Sequence, residues 1–341
     1  MGRPGNRNRV ISRRAVLSGI LLALLAAPLA AGAQPQERTV YRIGWLVNTP
    51  PAKDALSQRF FGVFVQGLRE AGWVEGQNMI IEGRYSDGRM ERFPDLAAEL
   101  VRLNVDVIVT SGVPGARAAK QATTTIPIVA MGMSDPVGLG LVASLARPGG
   151  NITGTATLFP ELAAKRLALL KETLPKISRV AVLKNAANPG NLLMLKEVQV
   201  AGRALGVTVH AIDVRGPDDL ERGLGAMIKD NPQGLLVLDD PLFVPHRTSI
   251  VEFAAKHRLP AMYPFTEYAE VGGLMAYSVN IFDLPRRAAT SVDKILRGAK
   301  PSDLPIEQPT TFELVINLRT AKALRLTIPQ AVLQRADRII Q

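Results

Sequence analysis

From Tyr41 onward the chain alternates short apolar runs with amphipathic helical stretches, and after about residue 150 it starts the pattern again. The first pass has "YRIGWLV", "MIIEGRY", "VDVIVTSG" and "IPIVAMG" as strands. Between them Phe60, Val63, Phe64, Leu68 and Ala71 fall at helical spacing and stop at Gly72, and Phe93, Leu96, Leu100 and Leu103 line a second helix. A helix from about Pro114 and another from about Pro136 to Leu145 complete the pass. Strands that are apolar on both faces and joined by helices demand a parallel sheet covered on each side. Beyond "RPGGNITGTAT" come "RVAVLKN", a helix to Leu205, "VTVHAID", a helix from Asp218, "GLLVLDD", a helix through Ala255, "LPAMYP", a short helix and "LMAYSVN".

The two passes echo each other. Arg42 stands six residues before Asn48 at the end of the first strand, and Arg179 six before Asn185 at the end of its counterpart. "IPIVA" and "LPAMY" are equivalent fourth strands, each with Pro second. The expected fold class is therefore α/β: two Rossmann-like lobes with parallel sheets, joined by a hinge the chain crosses several times. The crossings are expected near Thr153–Thr157, Ser278–Phe282 and Pro305–Pro309. Lobe 1 would hold residues 38–154 and about 281–308, and lobe 2 residues 155–280 and about 309–341. A helix from Leu284 to Leu296, closed by Gly298, and two terminal helices finish the chain.

Ahead of this body lies "SRRAVLSGILLALLAAPLAAGAQ", with no charge between Arg14 and Glu37. Its most apolar part, Gly19 to Ala31, is short of the twenty or so residues a spanning helix needs. Five arginines precede it, and Pro28 and the small residues Ala31-Gly32-Ala33 follow. A positive start, a short apolar middle and an A-x-A site describe a secretory signal peptide, with cleavage expected after about Ala33. Arg13-Arg14 resembles the twin-arginine export signal, although Val16 stands where Phe is usual and no Lys follows Leu17. Removing residues 1–33 takes five arginines and no acid, so the net charge drops by five from +11 to +6. With no Lys/Arg block and 5% aromatic residues, nucleic acid is not an expected partner. There are no cysteines, so an exported product has no disulfides and depends on an apolar core, which 47% hydrophobic residues allow. A freely diffusing monomer in a periplasm is the expectation.

Catalytic chemistry finds little footing. There is no G-x-S-x-G elbow and no Cys, and His210, His246 and His257 are scattered without ligand spacing. Gly138-Leu-Gly140-Leu-Val-Ala143 matches G-x-G-x-x-A, but it follows the fourth strand; close packing of the helix at 136–145 is the expected use of its glycines, and no cofactor is expected. An exported α/β enzyme is thus the weaker alternative. What remains is a set of strand-end loops: "NTPP" (48–51), "SGVPG" (111–115), "MSDP" (133–136), "NAANP" (185–189), "DDPLF" (239–243) and "YPFTE" (263–267). Open parallel sheets bind ligands beyond the carboxyl ends of their strands. Asn48, Ser111, Gly112, Ser134, Asn185 and Asn188 can offer hydroxyl, amide and backbone N–H donors to an anion such as a carboxylate. Asp135, Asp239, Asp240 and Glu267 can pair with an ammonium. Any one of these residues could instead merely cap a helix, so the expectation is that all six loops face one cleft. Phe243, Tyr263, Phe265 and Tyr277 are candidate apolar walls.

Three segments carry a family resemblance across essentially the whole chain after the leader: "GLREAGWVEGQNMIIEGRYSDGRMERFPDLAAELVRLNVDVIVTSG", "TTTIPIVAMGMSDPVGLGLVASLARPGGNITG" and "PTTFELVINLRTAKALRLTIP". They resemble the substrate-binding proteins of an ABC transporter family, some of whose members bind aromatic amino acids. The resemblance implies a type I periplasmic-binding-protein fold closing on a small solute, and an ABC permease of the inner membrane as partner. It places the pocket at Ser111, Gly112, Asp135, Asn185 and Asp239. A sensory protein that presents its ligand to a membrane receptor would use the same closure.

Overall fold

The computed structural model describes residues 1–2 and 40–341, so the expected leader, its cleavage site and its twin-arginine pair lie outside the described residues. In chain order the first half runs β1 (Tyr41–Val47), α1 (Ala55–Glu70), β2 (Met79–Tyr85), α2 (Phe93–Arg102), β3 (Val107–Ser111), α3 (Gly112–Ala122), β4 (Ile128–Ser134) and β5 (Ile152–Thr157). The second runs α4 (Phe159–Thr173), β6 (Arg179–Asn185), α5 (Pro189–Leu205), β7 (Thr208–Val214), α6 (Leu220–Met227), β8 (Gly234–Val237), α7 (Arg247–Lys256), β9 (Ala261–Tyr263), α8 (Thr266–Glu270) and β10 (Met275–Ser278). Then come α9 (Asp283–Leu296), β11 (Glu313–Asn317), α10 (Leu318–Ala323), α11 (Gln330–Leu333) and β12 (Arg338–Ile340).

The first sheet has the order β2-β1-β3-β4-β5 and is parallel throughout. The second, β12-β11-β10-β9-β8-β6-β7, repeats that order in β7-β6-β8-β9-β10 and adds an antiparallel β11 and a terminal β12. The internal echo in the sequence is thus a repeat of topology: β4 and β9 do occupy equivalent places. Alternation along β1 shows why its run is apolar on both faces. Ile43, Trp45 and Val47 pack with Phe64 and Leu68 of α1 and with Ala288, Ala289 and Val292 of α9. Leu46 points the other way, among Phe93, Leu96 and Leu100 of α2. Gly44 lies so close under Leu100 that a Cβ there would stand 3.0 Å from its Cδ1.

The chain passes from the first sheet to the second between β5 and α4, and α4 packs on α5, β9 and β10. It returns after β10, where α9 packs on α1, β4 and β5. It leaves again after Glu307, whose N–H donates to the carbonyl of Gly154, to form β11 of the second sheet. Three strands of chain therefore join two α/β lobes, which places the carboxyl ends of both sheets opposite each other.

Two expectations need correcting. The segment 136–145 is not a helix but a run of turns. Asp135 and Gly140 have left-handed φ of 40° and 68°, and the N–H groups of Leu141 and Val142 both turn back to the carbonyl of Pro136. The apolar spacing of "VGLGLVASL" suits a helix, but left-handed residues at each end of its first turn prevent one. Gly138 is there because a Cβ would meet the Asp135 carboxylate at 2.1 Å, not for packing a helix on the sheet. The second correction lies at the C-terminus, where α10 and α11 are short and a strand, β12, follows them. Among the described residues no helix is long and apolar enough to cross a membrane.

Candidate functional site

A cavity lies between the carboxyl ends of the two sheets, about 1000 Å³ of space free of atoms and partly open to solvent. Every one of the six strand-end loops contributes to its wall: Asn48, Thr49 and Pro51; Ser111 and Gly112; Ser134; Asn188; Asp239, Asp240 and Pro241; and Phe265. Parallel strands all end on the same side, so loops far apart in sequence converge once the two sheets face each other.

On the lobe 1 wall, β3 runs directly into α3. Ser111 occupies the N-cap position of that helix, yet its hydroxyl caps nothing. Gly112, the first helical residue, has a φ of 70°, and a Cβ on it would sit 3.8 Å from Pro241 of the opposite lobe. That distance is an ordinary contact, and it is the left-handed φ that favours glycine here. The early N–H groups of a helix have no partner within it and favour an anion. Ser111 with the start of α3 therefore presents free donors of the kind an anion such as a carboxylate accepts from. Asn48 is different. Its Oδ1 accepts from the Ser86 hydroxyl (2.8 Å) and the Gly88 N–H (2.7 Å), and its Nδ2 donates to the Pro241 carbonyl at 2.9 Å. It ties lobe 1 to lobe 2, its Oδ1 is filled, and one of its two Nδ2 hydrogens is left without a protein partner among the described residues.

The lobe 2 wall carries two buried carboxylates with different neighbours. Asp239 is gripped by Arg166 of α4, itself completely buried, through both guanidinium Nη atoms. Burial pushes the Asp239 carboxyl up from its usual range and Arg166 works against that. Asp240 accepts from the side-chain amides of Asn185 (3.1 Å), Asn188 (2.7 Å) and Asn191 (3.2 Å) and from the Leu242 N–H (2.8 Å). All four donors are neutral, and among the described residues no salt bridge reaches Asp240. Burial therefore dominates, and its pKa is pushed up to about 6. With Asp239 neutralised by Arg166, this wall keeps one net negative charge.

The space between is mostly apolar. Trp45 of β1 stands against Phe60 (6.5 Å between ring centres) and Phe64 (4.6 Å). Phe159, the first residue of α4, meets Phe265 edge-on at 6.4 Å. Trp45 and Phe60 line the cavity from lobe 1, Phe159 and Phe265 from lobe 2, with Met131, Ile281 and Leu284 filling in.

Asn48, Ser111, Gly112, Ser134, Asn188, Asp239 and Asp240 are thus brought together, while four other candidates lie off the wall. Asp135 turns its Oδ1 to the Gly138 N–H at 2.9 Å and closes a turn. Asn185 is fully buried behind Asp240. Glu267 sits within α8, its carboxyl raised by burial and by Glu270. Tyr277 stacks on Phe312, and its carbonyl accepts from Arg166 Nε at 2.6 Å. Of the proposed apolar walls only Phe265 faces the cavity; Phe243 is core, and Tyr263 stacks on Tyr268 at 5.0 Å. Asp135→Ala is accordingly expected to remove about 1 kcal/mol of stability, the usual net worth of one hydrogen bond, while leaving solute affinity unchanged. Thermal melting with and without solute checks both halves.

Sequence reasoning missed Trp45, Phe60, Phe159 and Arg166. Phe159-Pro160 directly follows a crossing between lobes, which is a readable signal for a cavity residue. Arg166 had none, because "ELAAKRLALLKET" reads as a helix with its charges in water. Among the described residues no group of three or more His, Asp or Glu is placed to hold a metal ion.

The family model described as ABC transporter substrate binding protein matches residues 47–340. A tyrosine-binding protein of Clostridioides difficile (strain R20291) is 25% identical over 261 residues, 76% of this chain and 75% of the relative. Among solved structures, the ABC domain in complex with L-Trp from Streptococcus pneumonia aligns with a TM-score of 0.79 and 25% identity, covering 89% of this chain and 100% of that one. A conserved domain protein from Vibrio cholerae aligns with a TM-score of 0.79 and 27% identity, over 88% of this chain and 99% of that one.

Proposed function

The chain belongs to the ABC transporter substrate-binding protein family, and on that premise we propose that it captures an α-amino acid with an aromatic side chain between its lobes and hands it to an importer. One observation carries the choice of solute: a single cavity joins free donors at Ser111 and the start of α3, an un-neutralised carboxylate at Asp240, and four aromatic rings. An α-carboxylate suits the first, an α-ammonium the second and a planar apolar side chain the third. The tyrosine-binding relative and the neighbour in complex with L-Trp support the same solute class.

The mechanism is reversible capture with no covalent step. In the open cleft the solute touches one lobe; on closure it touches both, so it stabilises the closed state by its extra affinity for that state. Carboxylate, ammonium and ring contacts of ordinary strength supply the roughly −8 kcal/mol of micromolar binding. The closed form then docks on an ABC permease in the inner membrane. The protein works as a periplasmic monomer, exported by a signal peptide of twin-arginine type that is cut after about Ala33. Native mass spectrometry of protein purified without unfolding tests the reading. A bound adduct with the mass of an aromatic amino acid is expected, and an adduct of another chemical class would contradict it.

A further inference from the structure

Two side chains that do not line the cavity connect its two walls. Asp54 is the N-cap of α1, its Oδ1 accepting from the N–H groups of Leu56 (3.0 Å) and Ser57 (3.3 Å), and both of those residues line the cavity from lobe 1. Arg247 opens α7 in lobe 2. Its Nη1 donates to Asp54 Oδ1 at 3.2 Å across the cleft and to the carbonyl of Val244 at 3.0 Å, and Val244 lines the cavity from lobe 2. Both side chains are 16% exposed, which sets this pair apart from the other ion pair between the lobes among the described residues, Arg89–Asp218, at 47% and 73%. Exposed pairs contribute little, and a largely desolvated one is screened less.

The position of Arg247 needs a partner to explain it. A cation in the first turn of a helix stands at the wrong end of the macrodipole, so α7 by itself disfavours an arginine there. Asp54 suits its own helix and is also held ionised: burial alone would raise its carboxyl, but the Ser57 hydroxyl and N–H and the Arg247 guanidinium bring it below the ordinary range.

We propose that Asp54 and Arg247 form a clasp across the cleft, a positioning pair that slows solute escape by holding the two cavity walls together without touching the solute. The inference rests on the capture mechanism above and deepens it: recognition lies inside the cavity, residence time outside it. Asp54→Asn keeps a side-chain acceptor for the cap while removing the charge, and Arg247→Gln removes the other partner. Stopped-flow measurements with L-tyrosine, read through the emission of Trp45 and Trp73, are expected to show koff about fivefold faster in each variant, with kon changed less than twofold. The double variant should release no faster than either single one, and Arg247→Lys should keep most of the slow release. Unchanged koff, effects that multiply in the double variant, or an equal loss in kon would overturn the clasp. A second arm needs no solute. Because the chain has no cysteines, spin labels at Arg69→Cys and Lys256→Cys can report the distance between lobes. The unliganded protein should populate the short distance more than the same protein carrying Asp54→Asn. Identical distributions would overturn the clasp whatever the solute is, whereas failure of L-tyrosine to bind, with the distributions still different, would overturn only the solute assignment.

Discussion

Replacing Arg166 with methionine is expected to destabilise the protein by about 3–5 kcal/mol, the range for stripping one partner from a buried ion pair. The guanidinium does three things at once. It neutralises Asp239, donates through Nε to the carbonyl of Tyr277 and through Nη2 to that of Pro264 at 3.1 Å. It thereby ties together the carboxyl ends of β8, β9 and β10, three neighbouring strand ends on the lobe 2 side of the cavity. Methionine keeps the volume of the stem but leaves a fully buried carboxylate without a counter-charge and two carbonyls without donors. The melting temperature should fall by about 10 °C. The double variant Arg166→Met/Asp239→Asn, which removes both charges, should lose less than Arg166→Met alone. Urea denaturation of the three proteins checks the order. A single variant as stable as the parent would mean that Asp239 is satisfied by water instead.

The second large effect is a pH dependence with opposite signs for folding and for binding. Asp240 titrates near 6 in the folded protein and near its ordinary value of about 3.9 when unfolded. Between those values the folded state holds more protons, so stability falls as pH rises from about 4 to about 6. Below the lower value the group contributes fully, and above the upper one its contribution is gone. About two units correspond to roughly 3 kcal/mol. Capture of an ammonium runs the other way, because it needs the ionised carboxylate. Affinity for an aromatic amino acid is expected to weaken about tenfold for each pH unit below 6, approaching 100-fold near pH 4, while the unliganded protein gains stability from this group. Neither charged group of such a solute titrates in that window. The difference between the parent and Asp240→Asn isolates the effect from other carboxylates, and denaturation and calorimetry across the range measure its two halves.

Much of this architecture was legible in the sequence because burial on both faces leaves an unbroken apolar run. Only a parallel sheet makes that pattern recur with helices between. The strand-end loops followed from the same logic, and seven of their polar residues do meet around one cavity. What the sequence could not say is what each polar group does once there. Ser111 and Asn188 both precede helices, yet Asn188 caps Gly190 while the Ser111 hydroxyl stays uncommitted. Asp239 and Asp240 are adjacent and of one type, but only one meets an arginine, and that arginine comes from a helix more than seventy residues earlier. The turns at 136–145 were misread because apolar periodicity does not record φ. The aromatic walls were misplaced for a related reason: a strand aromatic can face the helix layer, as Tyr263 does, instead of the cavity.

The capture proposed above requires the cavity to read a carboxylate, an ammonium and an aromatic ring together. Calorimetric titration of the solute-free protein with L-tyrosine and L-tryptophan, each beside its deaminated and its decarboxylated analogue, measures this directly. Micromolar binding of at least one parent amino acid is expected, with each analogue weaker by about tenfold or more, as loss of a charge-assisted contact requires. A deaminated analogue that binds as tightly as its parent would mean that the cavity does not recognise the ammonium.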